Sequence, residues 1–455
     1  MSLADCRADF PALRRRDDGF APVYLDSACM SLVPQAVVDA MASYYRDFPG
    51  CAGRSLHRFA EEVGRRYEAT RTAFAGRLGV REAERIVFVR NSTEAINLVG
   101  QGLAWRRGDR VLVSDREHNS NLIVWQRLAA ERGIRLEILP LDDGGGFDGD
   151  ALDERLARGV RLVSLFHTSN LDGRTLPVAE IVERAHDRGA RVLLDGCQAA
   201  PHAPVAVDRL GVDYYAVSGH KMLGPTGTGV LAAAPGRLGE LRPLLVGGET
   251  VVWSTLADHE LRPPPHRFEA GLQNYAGIVG AGAALDYLAR LDPAEMAAHE
   301  RALNERVSRA FADEPRVQLL GPADPAARPT LVAFTLQGID PHDAALFLDE
   351  ASGVMVRSGR HCVHSWYAER GLAGNVRASF YLYNRPEDAD ALVAGVRELL
   401  ARLPPTGTSA GTGSRRRPAA PARRRGAGSR GAAARSARPR RRAARGRAGS
   451  GGGSR

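Results

Sequence analysis

The sequence predicts an α/β protein with a mostly parallel central sheet, followed by a smaller α+β region and a basic tail. Three observations carry this. Short apolar runs alternate with longer helix-spaced segments between about residues 85 and 234. The pattern changes near residue 290. After residue 404 the composition collapses to Arg, Ala, Gly, Ser, Thr and Pro. Strands that alternate with helices indicate βαβ units around a parallel sheet.

The first run is Arg85–Val89 (RIVFV), followed by the helix-spaced Glu94–Leu103. Arg110–Val113 is the next strand, with a helix over Asn121–Arg132. Leu136–Leu139 and Leu162–Phe166 follow, then a helix over Val178–Arg188 and strands at Val192–Leu194 and Tyr214–Val217. Gly229–Ala234 reads as a further strand. Asn274–Arg290, rich in small residues, reads as a long connecting helix. Short uninterrupted apolar runs bounded by turn residues are the mark of strands buried on both faces. Beyond residue 290 the chain predicts a helix (Ala294–Asp313), a strand (Leu331–Leu336) and a helix (His342–Ala351). A loop bearing Cys362, a strand (Val376–Leu382) and a last helix (Glu387–Leu403) complete it. The expected domains are 1–290, 291–404 and a disordered tail, 405–455.

The net charge of +9 belongs to that tail. Residues 405–455 hold 15 arginines and no acid, which leaves the first 404 residues at −6. A tail without aromatic residues offers no platform for base stacking, so any nucleic-acid contact there is expected to be backbone-directed and salt-sensitive; none is expected of the folded part. Met1–Asp18 lacks an apolar signal core and no stretch is long enough to span a membrane, so neither a secretory signal nor a membrane anchor is expected. Five cysteines without a CxxC pair argue against a disulfide framework or a zinc ribbon and for a reducing cytoplasm.

Among the 62 basic residues there is one lysine, Lys221. Arginine replaces lysine on a solvated surface, but not as an amine that must lose a proton and attack a carbonyl. Lys221 is therefore a candidate for Schiff-base chemistry, against the alternative of a surviving surface charge. It stands in Ser218-Gly219-His220-Lys221-Met222, at a strand end, ahead of a glycine-rich turn that lets backbone approach a bulky cofactor. Leu194-Asp195-Gly196-Cys197-Gln198 ends another strand. A carboxylate there suits a pyridinium nitrogen, and Gln198 suits a ring hydroxyl oxygen; the alternative is a structural Asp. Asn91-Ser92-Thr93-Glu94-Ala95 opens a helix and is either an anion seat, an N-cap, or both. Glu117-His118-Asn119-Ser120-Asn121 supplies a histidine for ring stacking or proton movement, or a plain loop histidine.

Together and in this order, these segments resemble the class V aminotransferase superfamily of pyridoxal 5′-phosphate (PLP) enzymes. The resemblance is strongest to group II cysteine desulfurases and selenocysteine lyases. It runs from Tyr24-Leu25-Asp26-Ser27-Ala28 to Arg377-Ala378-Ser379, and includes His167-Thr168-Ser169-Asn170 and Arg267-Phe268-Glu269-Ala270-Gly271. It implies a fold-type I PLP-dependent transferase with a seven-stranded-type sheet, usually a homodimer. It implies that Lys221 forms the Schiff base and moves the α-proton, and that His118 stacks on the ring. Asp195 and Gln198 then hold the ring, and Thr93, Ser218 and His220 hold the phosphate. Asn170 and Arg377 grip the substrate carboxylate, while His57 and Arg357 lie near the substrate.

Arg357-Ser358-Gly359-Arg360-His361-Cys362 resembles the active-site loop of group II desulfurases. By that resemblance Cys362 takes sulfur from L-cysteine as a persulfide and alanine departs, with His361 or Arg357 lowering the thiol pKa. Such enzymes serve sulfur metabolism and iron–sulfur cluster assembly through a sulfur-acceptor protein. Three positions depart from the family's usual residues: Leu272 replaces a threonine that reaches the partner subunit's phosphate, Arg360 replaces a histidine, and Cys197 replaces an alanine. No metal is expected at His361, Cys362 and His364, where adjacent ligands suit a tetrahedral site poorly. The alternatives to desulfuration are selenocysteine lysis, transamination or epimerisation of the isopenicillin N type.

Overall fold

The computed structural model describes residues 3–15 and 21–403. The expected tail, 405–455, lies outside the described residues. In chain order the strands are β1 (Val23–Tyr24), β2 (Ile86–Val89), β3 (Arg110–Ser114), β4 (Arg135–Leu139), β5 (Val160–Phe166), β6 (Arg191–Asp195), β7 (Tyr214–Ser218) and β8 (Gly229–Ala233). Then come β9 (Val251–Ser254), β10 (His259–Leu261), β11 (Val317–Leu320), β12 (Leu331–Leu336), β13 (Val354–Met355), β14 (Arg357–Gly359) and β15 (Asn375–Ser379).

Strands β2 to β8 form one seven-stranded sheet, in the order β2-β8-β7-β6-β5-β3-β4. All neighbouring pairs are parallel except the two that involve β8. Each strand expected in this region is present, displaced by a residue or two at its ends. Their side chains divide cleanly between two apolar clusters. Val111, Val113, Leu193, Tyr214 and Ala216 pack on one face, and Leu112, Leu194, Tyr215 and Val217 on the other. That period-2 division buries both faces of the strands, which is why they read as unbroken apolar runs. Helices Arg58–Leu78 and Tyr275–Ala289 pack on one face, and Ser92–Gly102 and Asn119–Arg132 on the other.

The second sheet is antiparallel, in the order β11-β12-β15-β14, and is covered by Pro293–Ala312, Pro341–Ser352 and Pro386–Arg402. Strand β15 ends at Ser379, three residues short of the expected end at Leu382. Phe380–Tyr383 are buried, but the chain turns there: Asn384 Oδ1 accepts from Tyr381 N (2.8 Å) and Asn384 N donates to Tyr381 O (3.0 Å). A buried turn and a buried strand look alike to apolar patterning.

One consequence of the topology sets up the site. Strands β2, β3, β5, β6 and β7 all run the same way, so their C-terminal ends open on one edge of the sheet. In open α/β sheets this is the edge where ligands bind. Among the described residues no helix is long and apolar enough to cross a membrane.

Candidate active site

A chamber of about 180 Å3 lies at that edge. It brings together Thr93, His118, Asn170, Asp195, Gln198, Ser218, His220, Lys221, Arg357, Cys362 and Arg377, with Cys29 and Cys197 beside them. Of the residues expected at the site, only His57 is elsewhere. It is exposed, and its Nδ1 accepts from Ala60 N (3.4 Å) as the N-cap of Arg58–Leu78. Ala60 N also donates to His57 O (2.9 Å), so the ring adds a second acceptor at the helix start.

The floor is built from strand ends. Asp195 is the last residue of β6; one carboxylate oxygen accepts from Cys197 N (3.1 Å), and the other takes no hydrogen bond from the described residues. Gly196 follows because a Cβ there would collide with the Tyr215 ring. Ser218 ends β7, and a single 3-10 turn, Gly219–Lys221, carries His220 and Lys221 away from it. A Cβ on Gly219 would strike the Thr228 hydroxyl, and one on Gly229 would meet Val217 O at 2.6 Å. These two glycines let β7, β8 and the Asn91 turn close around the seat.

The seat itself is the N-terminus of Ser92–Gly102. Asn91 caps the helix through Glu94 N (3.1 Å), which frees Ser92 and Thr93 for other work. Ser92 N donates to Ser218 Oγ (2.9 Å), Ser218 Oγ donates to Ser92 Oγ (3.1 Å), and Thr93 Oγ1 pairs with Ser120 Oγ (2.7 Å). The N-cap is thus Asn91 and not Ser92 or Thr93, whose hydroxyls lie in the first turn, where an anion seat is expected.

His118 caps Asn119–Arg132, with Nδ1 accepting from Ser120 N (3.1 Å). Burial, helped by the Lys221 charge, pulls its pKa to about 4, so the ring is neutral and carries its proton on Nε2. Burial and Lys221 likewise lower His220 to about 4. Gln198 Nε2 donates to Ala28 O (2.7 Å), which leaves one amide hydrogen for a ring oxygen. Cys197 is fully buried and donates from Sγ to Ser218 Oγ (3.4 Å); burial beside Asp195 pushes its thiol to about 12 and keeps it neutral.

The opposite wall comes from the second sheet. Arg357 on β14 stands directly across from Arg377 on β15. Arg377 is buried; Nη1 donates to Asn170 O (2.8 Å), Nη2 pairs with Asp26 Oδ1 (3.2 Å), and Nε has no partner. Asn170 Nδ2 donates to His361 O (2.7 Å), pinning the cysteine loop. His361 and Cys362 both adopt left-handed backbone (φ 47° and 60°), and Asn119 N holds Cys362 O at 2.7 Å. Burial and the Arg377 charge lower His361 to about 3, and its Nε2 is paired with Asn375 Oδ1. A neutral imidazole brings no charge to the neighbouring thiol. Of the two groups expected to lower that thiol, His361 or Arg357, the arginine is therefore the charged one in the chamber.

Sequence reasoning missed two groups. Glu117 is wholly buried under His118, held by Ser114, Asn121 and Phe166 N, and burial pushes its carboxyl up to about 8. Glu269 of the Arg267–Gly271 motif sits in the large core, where it takes Arg71 (2.7 Å), Tyr67 OH (2.7 Å) and Phe88 N (2.9 Å). Its role is to brace β2 against the helix Arg58–Leu78. Both acids stand in segments singled out for their neighbours, and nothing in the residues alone marked them as buried.

These groups fit PLP. The chamber has one amine, a carboxylate with a free oxygen for a ring nitrogen, a neutral imidazole for a ring face, and a helix N-terminus with hydroxyls for a phosphate. Fold and site therefore define a PLP-dependent enzyme of fold type I. The chain belongs to the class V aminotransferase family, whose model (Aminotransferase class-V) matches residues 23–392. A relative from Streptomyces coelicolor, described as a probable cysteine desulfurase, is 38% identical over 401 residues, covering 86% of this chain and 96% of its own. The solved cysteine desulfurase of Thermococcus onnurineus superposes with a TM-score of 0.83 at 35% identity, covering 88% of this chain and 98% of that one. A cystine C-S lyase solved with its product cysteine persulfide has a TM-score of 0.74 at 27% identity, covering 85% and 98%.

Proposed function

We propose that this enzyme is a PLP-dependent cysteine desulfurase that converts L-cysteine to L-alanine and leaves the sulfur as a persulfide on Cys362. The observation that carries the proposal is a single chamber in which the lone lysine, two arginines and the Cys362 loop converge. When bound, PLP supplies an electron sink that acidifies the substrate Cα–H and lets the carbon–sulfur bond break.

The chain's own residues do the rest. Lys221 Nζ holds the cofactor and carries the α-proton. Asp195 keeps a proton on the ring nitrogen, Gln198 offers its remaining amide hydrogen to the ring oxygen, and His118 stacks without charge. Ser218, Thr93 and His220 hold the phosphate. Arg377 and Arg357 meet the substrate carboxylate, with Asn170 beside them. Cys362 Sγ then bonds to the substrate sulfur as the carbon–sulfur bond breaks. The electron pair passes to Cβ, which takes a proton to become the methyl group of alanine. The persulfide remains on the loop for a thiol acceptor.

The same reading makes the enzyme a homodimer. Leu245, Val246, Val252, Leu256 and Leu272 stand exposed along one stretch of chain, and exposed apolar residues in such number suit a covered surface. It also divides the protein into a cofactor domain, 1–290, and a smaller domain, 291–404, and places it in the cytoplasm, where its five free thiols stay reduced. The test is product analysis of the PLP-loaded protein with L-cysteine. Alanine and sulfane sulfur in equal amounts support the proposal; pyruvate with ammonia, or a racemised amino acid, contradicts it.

A further inference from the structure

Cys29 faces the substrate side of the chamber and has no part in the scheme above. It belongs to the segment Asp26–Ser31, which is fastened to both walls. Toward the second sheet, Ala28 N donates to Ser379 Oγ (2.9 Å) and Asp26 Oδ1 pairs with Arg377 (3.2 Å). Toward the cofactor floor, Ala28 O accepts from Gln198 Nε2 (2.7 Å) and Ser31 N donates to His220 O (2.9 Å). Cys29 N closes the turn on Asp26 O (3.0 Å). The sulfur is thus carried on backbone that is held from both sides.

Arg357 Nη1 is paired with Cys29 Sγ, and among the described residues this is the only hydrogen-bond partner the guanidinium has. Nη2 and Nε are left for another group. Two substrate-side arginines therefore rest on one segment, Arg377 on Asp26 and Arg357 on Cys29, directly opposite each other across β14 and β15. Arginine is a long side chain that loses much rotamer freedom when it binds. A fixed partner that removes this freedom in advance improves the binding of the next partner.

We propose that Cys29 is a positioning residue: its sulfur holds one edge of the Arg357 guanidinium so that the other edge meets the substrate carboxylate. This rests on the desulfurase reading for the identity of the substrate. It adds a residue that sets substrate affinity without taking part in sulfur transfer.

The test compares Cys29→Ala and Cys29→Ser with the unaltered holoenzyme. In Cys29→Ala, KM for L-cysteine rises about tenfold while kcat changes by less than about twofold, as expected when only pre-organisation is lost. Cys29→Ser, which keeps an acceptor, recovers most of the difference. Cofactor content and Tm stay close to those of the unaltered protein in both. Glycine, which has the same carboxylate and no sulfur, is titrated into the holoenzyme by absorbance and binds Cys29→Ala more weakly by the same factor. This arm needs no turnover, so it stands even if L-cysteine is not the substrate. An unchanged KM and unchanged glycine affinity in Cys29→Ala overturn the proposal. So does a persulfide mapped to Cys29 after turnover, which makes it a sulfur carrier.

Discussion

The floor of the chamber and the loop that bears Cys362 hold their functional groups by opposite means. On the floor, Asp195 and Ser218 are the last residues of strands whose neighbours pair on both sides, and their backbone is ordinary β structure. The loop instead places two consecutive non-glycine residues, His361 and Cys362, in left-handed backbone. Each such residue is unfavourable by about 1–3 kcal/mol and persists only where its surroundings over-determine it. Here the surroundings are the bonds from Asn170 to His361 O and from Asn119 to Cys362 O. The cofactor groups are thus fixed by the sheet, and the nucleophile by a few replaceable hydrogen bonds.

Two of the chamber's three thiols show the same division. Cys197 on the floor is buried, hydrogen-bonded and neutral, with its thiol pushed to about 12. Cys362 is half-buried on a strained turn. Burial makes a thiol inert and partial exposure leaves it available, which sets Cys197 apart; Cys29 is half-buried like Cys362, but it is carried on backbone of the Asp26–Ser31 segment and not on the strained loop.

The largest effect separates the floor's chemistry from its scaffolding. Lys221→Ala should lower alanine formation by about a thousandfold, within the range for loss of a proton-transfer group, while circular dichroism and Tm stay near those of the unaltered protein. Next, Cys362→Ser should lower alanine formation from L-cysteine by about a hundredfold or more while the cofactor absorbance is kept, because the nucleophile is on the loop and the cofactor groups are not. Alanine release near the normal rate in this variant would mean that sulfur leaves without Cys362.

A third effect is on stability against pH. His118 and His361 titrate at about 4 and about 3 when folded, below the usual 6.5 of histidine. The unfolded chain therefore takes up protons first as the pH falls. The stability these two imidazoles contribute is full above pH 6.5 and declines from there toward pH 4, by about 1.4 kcal/mol per pH unit for each. Denaturant midpoints at pH 7.5 and 5 should show a smaller decline in His361→Asn than in the unaltered protein; equal declines would mean that His361 is charged when folded. The smallest effect is expected of Cys197→Ala, which removes one weak hydrogen bond and should change stability by about 1 kcal/mol or less and leave kcat nearly intact. A large fall in kcat would give the floor thiol a chemical part.

Much of this was legible in the sequence because the chemistry sits where local patterns are strong. Both-face burial made the seven strands visible as apolar runs, and their ends marked Thr93, His118, Asp195 and Lys221. What stayed hidden depends on contacts between distant segments. The helix Arg58–Leu78 is rich in charge and buries Arg71 on Glu269, so it lacks a clean apolar stripe. The hairpin of β9 and β10 is largely exposed and has no core pattern to read. His57 was expected near the substrate by the family resemblance, and no local pattern showed that its ring also caps the helix Arg58–Leu78. The contact of Cys29 with Arg357 spans more than three hundred residues and has no local signal.

The central claim is that sulfur passes to Cys362 and to no other thiol of the chamber. The direct measurement is peptide mapping by mass spectrometry of the PLP-loaded enzyme after a single turnover of L-cysteine, without an acceptor. The account predicts one added sulfur atom on the peptide containing Cys362, with Cys29 and Cys197 unmodified and one alanine formed per site. Added sulfur on either of the other two cysteines, or alanine formed with no protein-bound sulfur, would contradict it.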